Sequence, residues 1–305
     1  MNTRFLNIEN LSYPQLDELD RANTIFIQSI SPLEEHGPHL PIGVDIFIAD
    51  YMANRIADNI LEKHENITVV MFPPLAIGVG AIPWLGSFNS RQRLIRSLVE
   101  ERAAVLGKYG FRFFLLSNGH GGPRHVVALE EAAHRASKKY RLKVVSLSGR
   151  IAFEFLTGKY AAAIESKMGR SFTEEEKRCF AQDSHAGWWE TSVMLMLKPE
   201  LVDKNYQELS AFTKDWKNHF GRKKSIKDPG YRGFPALANR TFADATVHVL
   251  LEKLMELIED MLQGKELGKR AYSPLYKLGF FRTNFIWYAV ILFTTIITIV
   301  LIVLI

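Results

Sequence analysis

The chain has 305 residues, of which 47% are hydrophobic and 23% charged, so it can form one large globular domain or two ordinary ones. Its formal charge of +5 includes short runs such as 222–224 and forms no basic stripe with interleaved aromatics, which argues against nucleic-acid binding. The single cysteine, Cys179, excludes an intramolecular disulfide and fits a reducing compartment.

Short apolar strands alternate with amphipathic helices in the first half of the chain. The patterns predict strands at 24–30, 68–72, 111–116 and 142–147, and helices at 12–22, 46–61, 92–109 and 126–140. This alternation predicts an α/β fold built from βαβ units on a mainly parallel sheet. The apolar run at 111–116 is typical of a strand covered on both faces.

The second half is predicted to be mostly helical. Residues 150–182 are charged and helix-like, another helix ends at Leu197, and 243–262 form a strongly amphipathic helix. Between them, the polar residues 204–235 are predicted to form a long surface excursion.

The C-terminal residues 285–305 carry no charge. A helix of this length spans roughly 30 Å, the thickness of a bilayer core, and basic residues precede it. We therefore predict a single-pass C-terminal anchor in the cell membrane, with everything before it in the cytoplasm; the alternative is a buried core helix or strand. The N-terminus shows no signal peptide. The predicted division is a hydrolase domain at 1–264, a basic linker at 265–284 and the anchor at 285–305.

Residues that can bind a metal are concentrated in three loops, each of which follows a strand or begins a helix. The loops contribute Glu34, His36 and Asp45; His120; and His185 and Glu190. Carboxylates and imidazoles suit a divalent metal, and the carboxyl ends of parallel strands meet at one edge of a sheet. Each loop alone also fits ordinary roles, such as a solvated surface loop or a hydrogen-bonded histidine.

Together the three loops resemble the creatininase (creatinine amidohydrolase) family. The motif at 34–45 is similar to Glu-Gln-His-Gly-Pro-His-Leu-Pro-Leu-Gly-Thr-Asp, 118–122 to Asn-Gly-His-Gly-Gly, and 185–192 to His-Ala-Gly-x-x-Glu-Thr-Ser. Their order and spacing agree with the family over roughly residues 8–262.

The resemblance implies a three-layer α/β fold with two divalent ions per chain, either zinc, manganese or iron. On the family's pattern Asp45 would bridge the ions, Glu34 and His120 would hold one, and His36 and Glu190 the other. Two such ions can together acidify a water molecule and polarise a carbonyl group. His185 would donate a proton to the leaving nitrogen, or would instead orient Glu190. Relatives often form hexamers, which implies a possible homo-oligomer.

The motifs also depart from the family's pattern. Creatininases proper carry His-Tyr-Glu-Asn in the second motif, where this chain has Gly121, Gly122 and Pro123. Creatinine itself is therefore not the expected substrate. The family's Phe-Pro-Gly-Thr loop is replaced by 84–87. The residues predicted to contact the substrate are Trp84, Ser87, Gly121 and Trp188.

These observations predict a membrane-anchored, metal-dependent amidohydrolase that cleaves a non-peptide or cyclic C–N amide bond in a small molecule. Deformylation and trimming of a small modified peptide also lie within the family's range. An idle metal-binding membrane scaffold is the alternative of a different class.

Overall fold

The computed structural model describes residues 4–213 and 228–304, so part of the polar excursion predicted at 204–235 lies outside the described residues. The strands are β1 Phe5–Asn7, β2 Thr24–Ser31, β3 Thr68–Ala76, β4 Phe113–Ser117 and β5 Lys143–Ser146. The helices are α1 Tyr13–Asp17, α2 Val44–Lys63, α3 Gln92–Lys108, α4 Pro123–Lys139, α5 Gly149–Leu156, α6 Ala161–Met168, α7 Glu174–Gln182, α8 Trp188–Leu197, α9 Arg240–Leu262 and α10 Phe285–Leu304.

The five strands form one parallel sheet in the order β1-β3-β2-β4-β5. Strand β2 lies at the centre, and all of its residues are buried. Because side chains alternate along a strand, Ile25 and Ile27 face one side of the sheet while Phe26 and Ile30 face the other. The expected α/β fold with a parallel sheet is confirmed.

Two apolar clusters cover the two faces of the sheet. The cluster on one face joins the strands with α2, α8 and α9, and the cluster on the other face joins them with α3 and α4. The sheet is thus the middle of three layers. The loops after β2 and β4 leave the sheet at the same edge, because adjacent parallel strands end side by side.

One predicted helix is shorter in the structure, and one strand of the structure was not predicted. The helix predicted at 12–22 is the single-turn α1, Tyr13–Asp17, because Asp20 accepts backbone hydrogen bonds from Ala22 and Asn23 and so forms a turn. The edge strand β1 was not predicted. Three residues are too few to show an alternating pattern, and the strand is defined only by its pairing with β3.

The C-terminal helix α10 exists, but the transmembrane span predicted for 285–305 is not supported. The side chains described in α10, at 285 and 288–300, are exposed and uncharged. Crossing a bilayer takes about 20 consecutive apolar residues. Over 4–213 and 228–304, no helix is both long and apolar enough to cross a membrane.

Residues 265–284, predicted as a basic linker, lie against α3 and α4. Ser273 donates to the buried Glu130 through its backbone N–H and, at 2.9 Å, through its hydroxyl. Thr283 binds Glu131, and Gln92 donates to the Phe281 carbonyl. Burial raises the pKa of Glu130 to about 7, although the hydrogen bonds from Ser273 oppose the shift.

The raised pKa of Glu130 predicts a pH-dependent stability. The folded chain binds a proton here up to about pH 7, whereas the unfolded chain releases it near pH 4.5. The free energy of unfolding should therefore fall with rising pH between these values, by about 3 kcal/mol relative to Glu130→Gln. Denaturant unfolding of both proteins between pH 4.5 and 8 measures the difference. Glu62→Gln, at an exposed position, is the control and should track the wild type; a pH-independent difference for Glu130→Gln would contradict the prediction.

Candidate metal centre

The three predicted loops meet at the carboxyl edge of the sheet. The loop after β2 carries Glu34 and His36, and the loop after β4 carries His120. Asp45 and Glu190 lie in the first turns of α2 and α8, where the helix dipole favours a negative charge. All five side chains are buried.

The five residues form two groups that share Asp45. Glu34, Asp45 and His120 make one group and His36, Asp45 and Glu190 the other, with the candidate ligand atoms of each group within 4.8 Å of one another. His120 Nδ1 lies 2.9 Å from Glu34 Oε2 and 3.1 Å from Asp45 Oδ2. His36 Nε2 lies 3.5 Å from Asp45 Oδ1 and 3.7 Å from Glu190 Oε2. The resemblance implies the same division. The candidate ligand atoms of Glu34, His36 and His185 also lie within 4.8 Å of one another, so the geometry offers a third group as well.

Backbone groups orient the side chains. His36 Nδ1 lies 2.9 Å from the Glu34 carbonyl oxygen, which can only accept, so Nδ1 carries a proton and Nε2 is the ring nitrogen available to the centre. The Ile82 N–H donates to Glu34 Oε1 at 2.6 Å, and the Ala186 N–H donates to Glu190 Oε2 at 2.5 Å. Glu34 therefore keeps Oε2 for the centre, whereas in Glu190 the oxygen that Ala186 binds is also the one 3.7 Å from His36 Nε2.

The cluster has a strongly negative potential. Burial alone would lower the pKa of His36 and His120, but the carboxylates around them, Asp45 foremost, raise both pKa values to about 10. Burial alone would raise the pKa of Asp45, but His120 and His36 hold that pKa well below its usual range. For Glu190, burial has the larger effect and raises its pKa to about 7. Positive charge is thus favoured in this space.

The donor set fits divalent metal ions. Among the described residues, His36 Nε2 and both carboxylate oxygens of Asp45 are buried without a hydrogen-bond partner. Such atoms are costly to bury unless something charged or polar pairs with them. Imidazole nitrogens and carboxylate oxygens are ligands typical of zinc and manganese. Two ions sharing Asp45 would satisfy these atoms.

Asn118 and Ser31 fix the loop that carries His120, and sequence reasoning assigned them no role. Ser31 Oγ donates to Asn118 Oδ1 and accepts from the Gly119 N–H, each at 2.9 Å. Asn118 Oδ1 also accepts from the His120 N–H, and its amide donates to the His120 carbonyl. The available signal was the Asn-Gly pair directly after a strand, a common turn former.

The ring of His185 lies beside the centre. Its centroid is 4.4 Å from that of His36, and its Nε2 donates to the Glu35 carbonyl at 2.8 Å. Burial and the proximity of His36 lower its pKa to about 4, so at neutral pH Nδ1 is unprotonated. Glu190 receives its backbone hydrogen bond from Ala186. The geometry therefore favours a proton-transfer role for His185 over an orienting role toward Glu190.

The predicted substrate-binding residues lie in different surroundings. Trp84 lies under the Arg232 guanidinium, 5.8 Å from ring centroid to Cζ, and Gly121 is exposed. Ser87 accepts a hydrogen bond from the Glu35 N–H at 3.0 Å and so fixes the metal-binding loop. Trp188 is 1% exposed and stacks on Phe242 with centroids 4.2 Å apart. This placement favours a packing role for Trp188 over contact with a substrate.

Gly122 explains one departure from the family's pattern. A Cβ at this position would lie 2.2 Å from His120 Nε2, closer than any real contact. The glutamate that creatininases proper carry here therefore has no room while His120 keeps its position. The other histidines serve the fold. His39 Nε2 binds Thr191, and His125 Nε2 donates to the Ile30 carbonyl.

Comparisons with known proteins agree with this geometry. The family model Creatininase: Creatinine amidohydrolase matches residues 9–258. A creatinine amidohydrolase of Pseudomonas putida is 24% identical over 195 residues, which are 60% of this chain and 67% of that protein. Two solved structures, a manganese creatininase and a creatinine amidohydrolase, superpose with TM-scores of 0.63 and 0.62 at 19% identity, covering 84% of this chain and 98% of theirs.

The fold and the cluster define a metal-dependent hydrolase of the α/β class. The chain belongs to the creatininase family, because the family model covers most of its length. Members of this family are metal-dependent amidohydrolases that act on C–N bonds other than peptide bonds. The family and the enzyme class expected from the sequence are thus confirmed.

The close approach of Gly119 to α2 yields a prediction. A Cβ at Gly119 would lie 2.3 Å from the Asp45 carbonyl oxygen, whereas a Cβ at Gly121 would meet only Leu156 Cδ1 at 3.8 Å. We expect Gly119→Ala to lower the free energy of unfolding by about 1–3 kcal/mol, and Gly121→Ala to change it by less than about 0.5 kcal/mol. Denaturant unfolding of the two variants checks this, and equal stabilities would show that the contact is unimportant.

Proposed function

We propose that the chain is a two-ion amidohydrolase that cleaves a non-peptide or cyclic C–N amide bond in a small molecule. The observation that carries the proposal is the pair of buried ligand groups sharing Asp45. Asp45 lies between two imidazoles, and neither of its carboxylate oxygens has a hydrogen bond among the described residues. Such a carboxylate is suited to bridging two ions.

In this proposal Glu34 and His120 hold one ion, His36 and Glu190 hold the other, and Asp45 bridges them. Bound ions would supply an acidified water molecule and a polarised carbonyl group. Three protein ligands for each ion would leave coordination positions open for water and substrate. The identity of the ions (Zn, Mn or Fe) is part of the proposal and is decided by metal analysis.

His185 is proposed to move the proton between water and the leaving nitrogen. Its Nε2–H donates to the Glu35 carbonyl, so Nδ1 is the atom that would accept a proton from water and pass it to the leaving nitrogen. The ring is fixed in place, since the backbone of His185 exchanges two hydrogen bonds with Arg232, at 3.0 and 2.7 Å. A fixed base next to the centre loses little entropy in the reaction.

Metal analysis of the full chain tests the two-ion centre. We expect about two ions per chain in the wild type and none in Asp45→Ala, because Asp45 belongs to both groups. Hydrolysis of a panel of small cyclic and linear amides should be lost with the ions. His134→Ala is the control and should keep both ions, since His134 belongs to neither group. A wild-type chain that binds no metal under saturating conditions would rule out the proposal.

We also propose that α10 anchors the protein at a membrane, with the catalytic part in the cytoplasm. The described side chains of α10 include several exposed apolar residues, such as Val290, Ile291, Leu292 and Phe293. Exposed apolar surface of this kind typically marks a contact with lipid or protein.

Cell fractionation tests the membrane proposal. Deleting 285–305 should move the protein from the membrane pellet to the supernatant, because the apolar side chains of α10 are removed. A matched control deletes only 301–305. If the full chain is already in the supernatant, the membrane proposal fails while the metal centre stands.

A further inference from the structure

Asp183 lies outside both ligand groups, yet its carboxylate joins three segments around the metal centre. Its Oδ1 accepts from the Trp188 N–H at 2.7 Å and the Phe234 N–H at 3.2 Å. Its Oδ2 accepts from the Trp189 N–H at 3.0 Å. Trp188 and Trp189 are the first two residues of α8, so Asp183 satisfies N–H groups that a helix cannot pair internally.

Two glycines make room for this carboxylate. A Cβ at Gly187 or at Gly233 would lie 1.9 Å from Asp183 Oδ1. Gly233 has a φ of +150°, which other residues rarely adopt. Two backbone segments thus lie directly against Asp183 Oδ1, and a Cβ at either glycine would collide with it.

The segments that Asp183 joins carry both His185 and Glu190. Glu190 is in the first turn of α8, and its carboxylate accepts from the N–H of Ala186. Ala186 has a φ of +46°, a left-handed conformation that costs a non-glycine residue of the order of 1 kcal/mol and persists only where neighbours impose it. His185 pairs with Arg232 through two backbone hydrogen bonds.

We propose that Asp183 is a positioning residue, which sets the place of Glu190 and His185 without touching an ion. Its three hydrogen bonds fix the start of α8 against 183–185 and 232–234, and this holds the strained turn at Ala186. Among the described residues, the side chains of Glu34, Asp45 and His120 have no hydrogen bond to these segments, although His185 Nε2 donates to the carbonyl of Glu35, next to Glu34. Loss of Asp183 should therefore weaken mainly the ion proposed between His36, Asp45 and Glu190. This inference rests on the two-ion proposal.

Asp183→Asn is the test, because an amide keeps the shape but places an N–H₂ group where a second acceptor is needed. We expect manganese titration of the full chain to show about two ions in the wild type. In the variant the affinity for one of them should fall at least about ten-fold, while the other binds normally. Electron paramagnetic resonance of manganese-loaded protein should change from a spin-coupled pair to an isolated ion.

Thr173→Ala is the matched control. Thr173 caps α7 by accepting from the Glu176 N–H, so its loss also removes a helix cap, but at a residue that makes no hydrogen bond with Asp183 and belongs to no ligand group. The control should keep two coupled ions. If Asp183→Asn does not accumulate as folded protein, Asp183→Ser, which retains one oxygen acceptor, takes its place with the same readouts.

The outcomes separate the two proposals. A wild type with fewer than two ions overturns the two-ion centre and with it the inference. A wild type with two ions and an Asp183 variant with two equally tight, coupled ions overturns the positioning role alone. If Thr173→Ala loses the second ion to the same extent, the effect is due to general destabilisation, and the positioning role of Asp183 is again overturned.

Discussion

The constraint on which the rest of the site depends is the burial of the Asp45 carboxylate. It lies at the start of α2, between His36 on one side and His120 on the other, with no hydrogen bond to either oxygen among the described residues. A buried carboxylate needs positive charge nearby to stay ionised. The positive end of the α2 dipole and the two imidazoles supply part of it. A pair of divalent cations would supply the remainder.

To place ligands around the Asp45 carboxylate, the loops after β2 and β4 and the start of α8 must approach α2 closely. Gly119 passes the Asp45 carbonyl at a distance that excludes a Cβ, and Gly122 stands equally close to His120. Asn118 and Ser31 then fix the loop, since each bonds to the backbone that follows β4. Backbone and small polar side chains, rather than apolar packing, hold the ligand atoms at this edge.

The central elements were predictable because their signals are local. Strand β2 is a short apolar run. Helices α2 and α9 have apolar residues at helical spacing, because α2 packs on the sheet and α9 packs on α2, α6 and α8. The ligand types were predictable as well, because His and acids concentrate next to Pro and Gly in the loops. The edge strand β1 was not, since it is defined only by its pairing with the distant β3, and α1 is shorter than predicted because of the local turn at Asp20. At α10 the helix was predicted and the span was not supported, because an uncharged sequence alone does not establish a membrane crossing.

The sequence by itself determined the family, the alternation of strands and helices in the first half of the chain, and the residue types of the metal centre. These follow from local patterns of apolar spacing and from motifs of adjacent residues. Only the tertiary structure decided which residues meet. It packs Trp188 in the core against Phe242 and places the Asp183 carboxylate at the start of α8. The physical reason is that side-chain direction at a strand end or helix start depends on how the layers pack, and no local pattern records that packing.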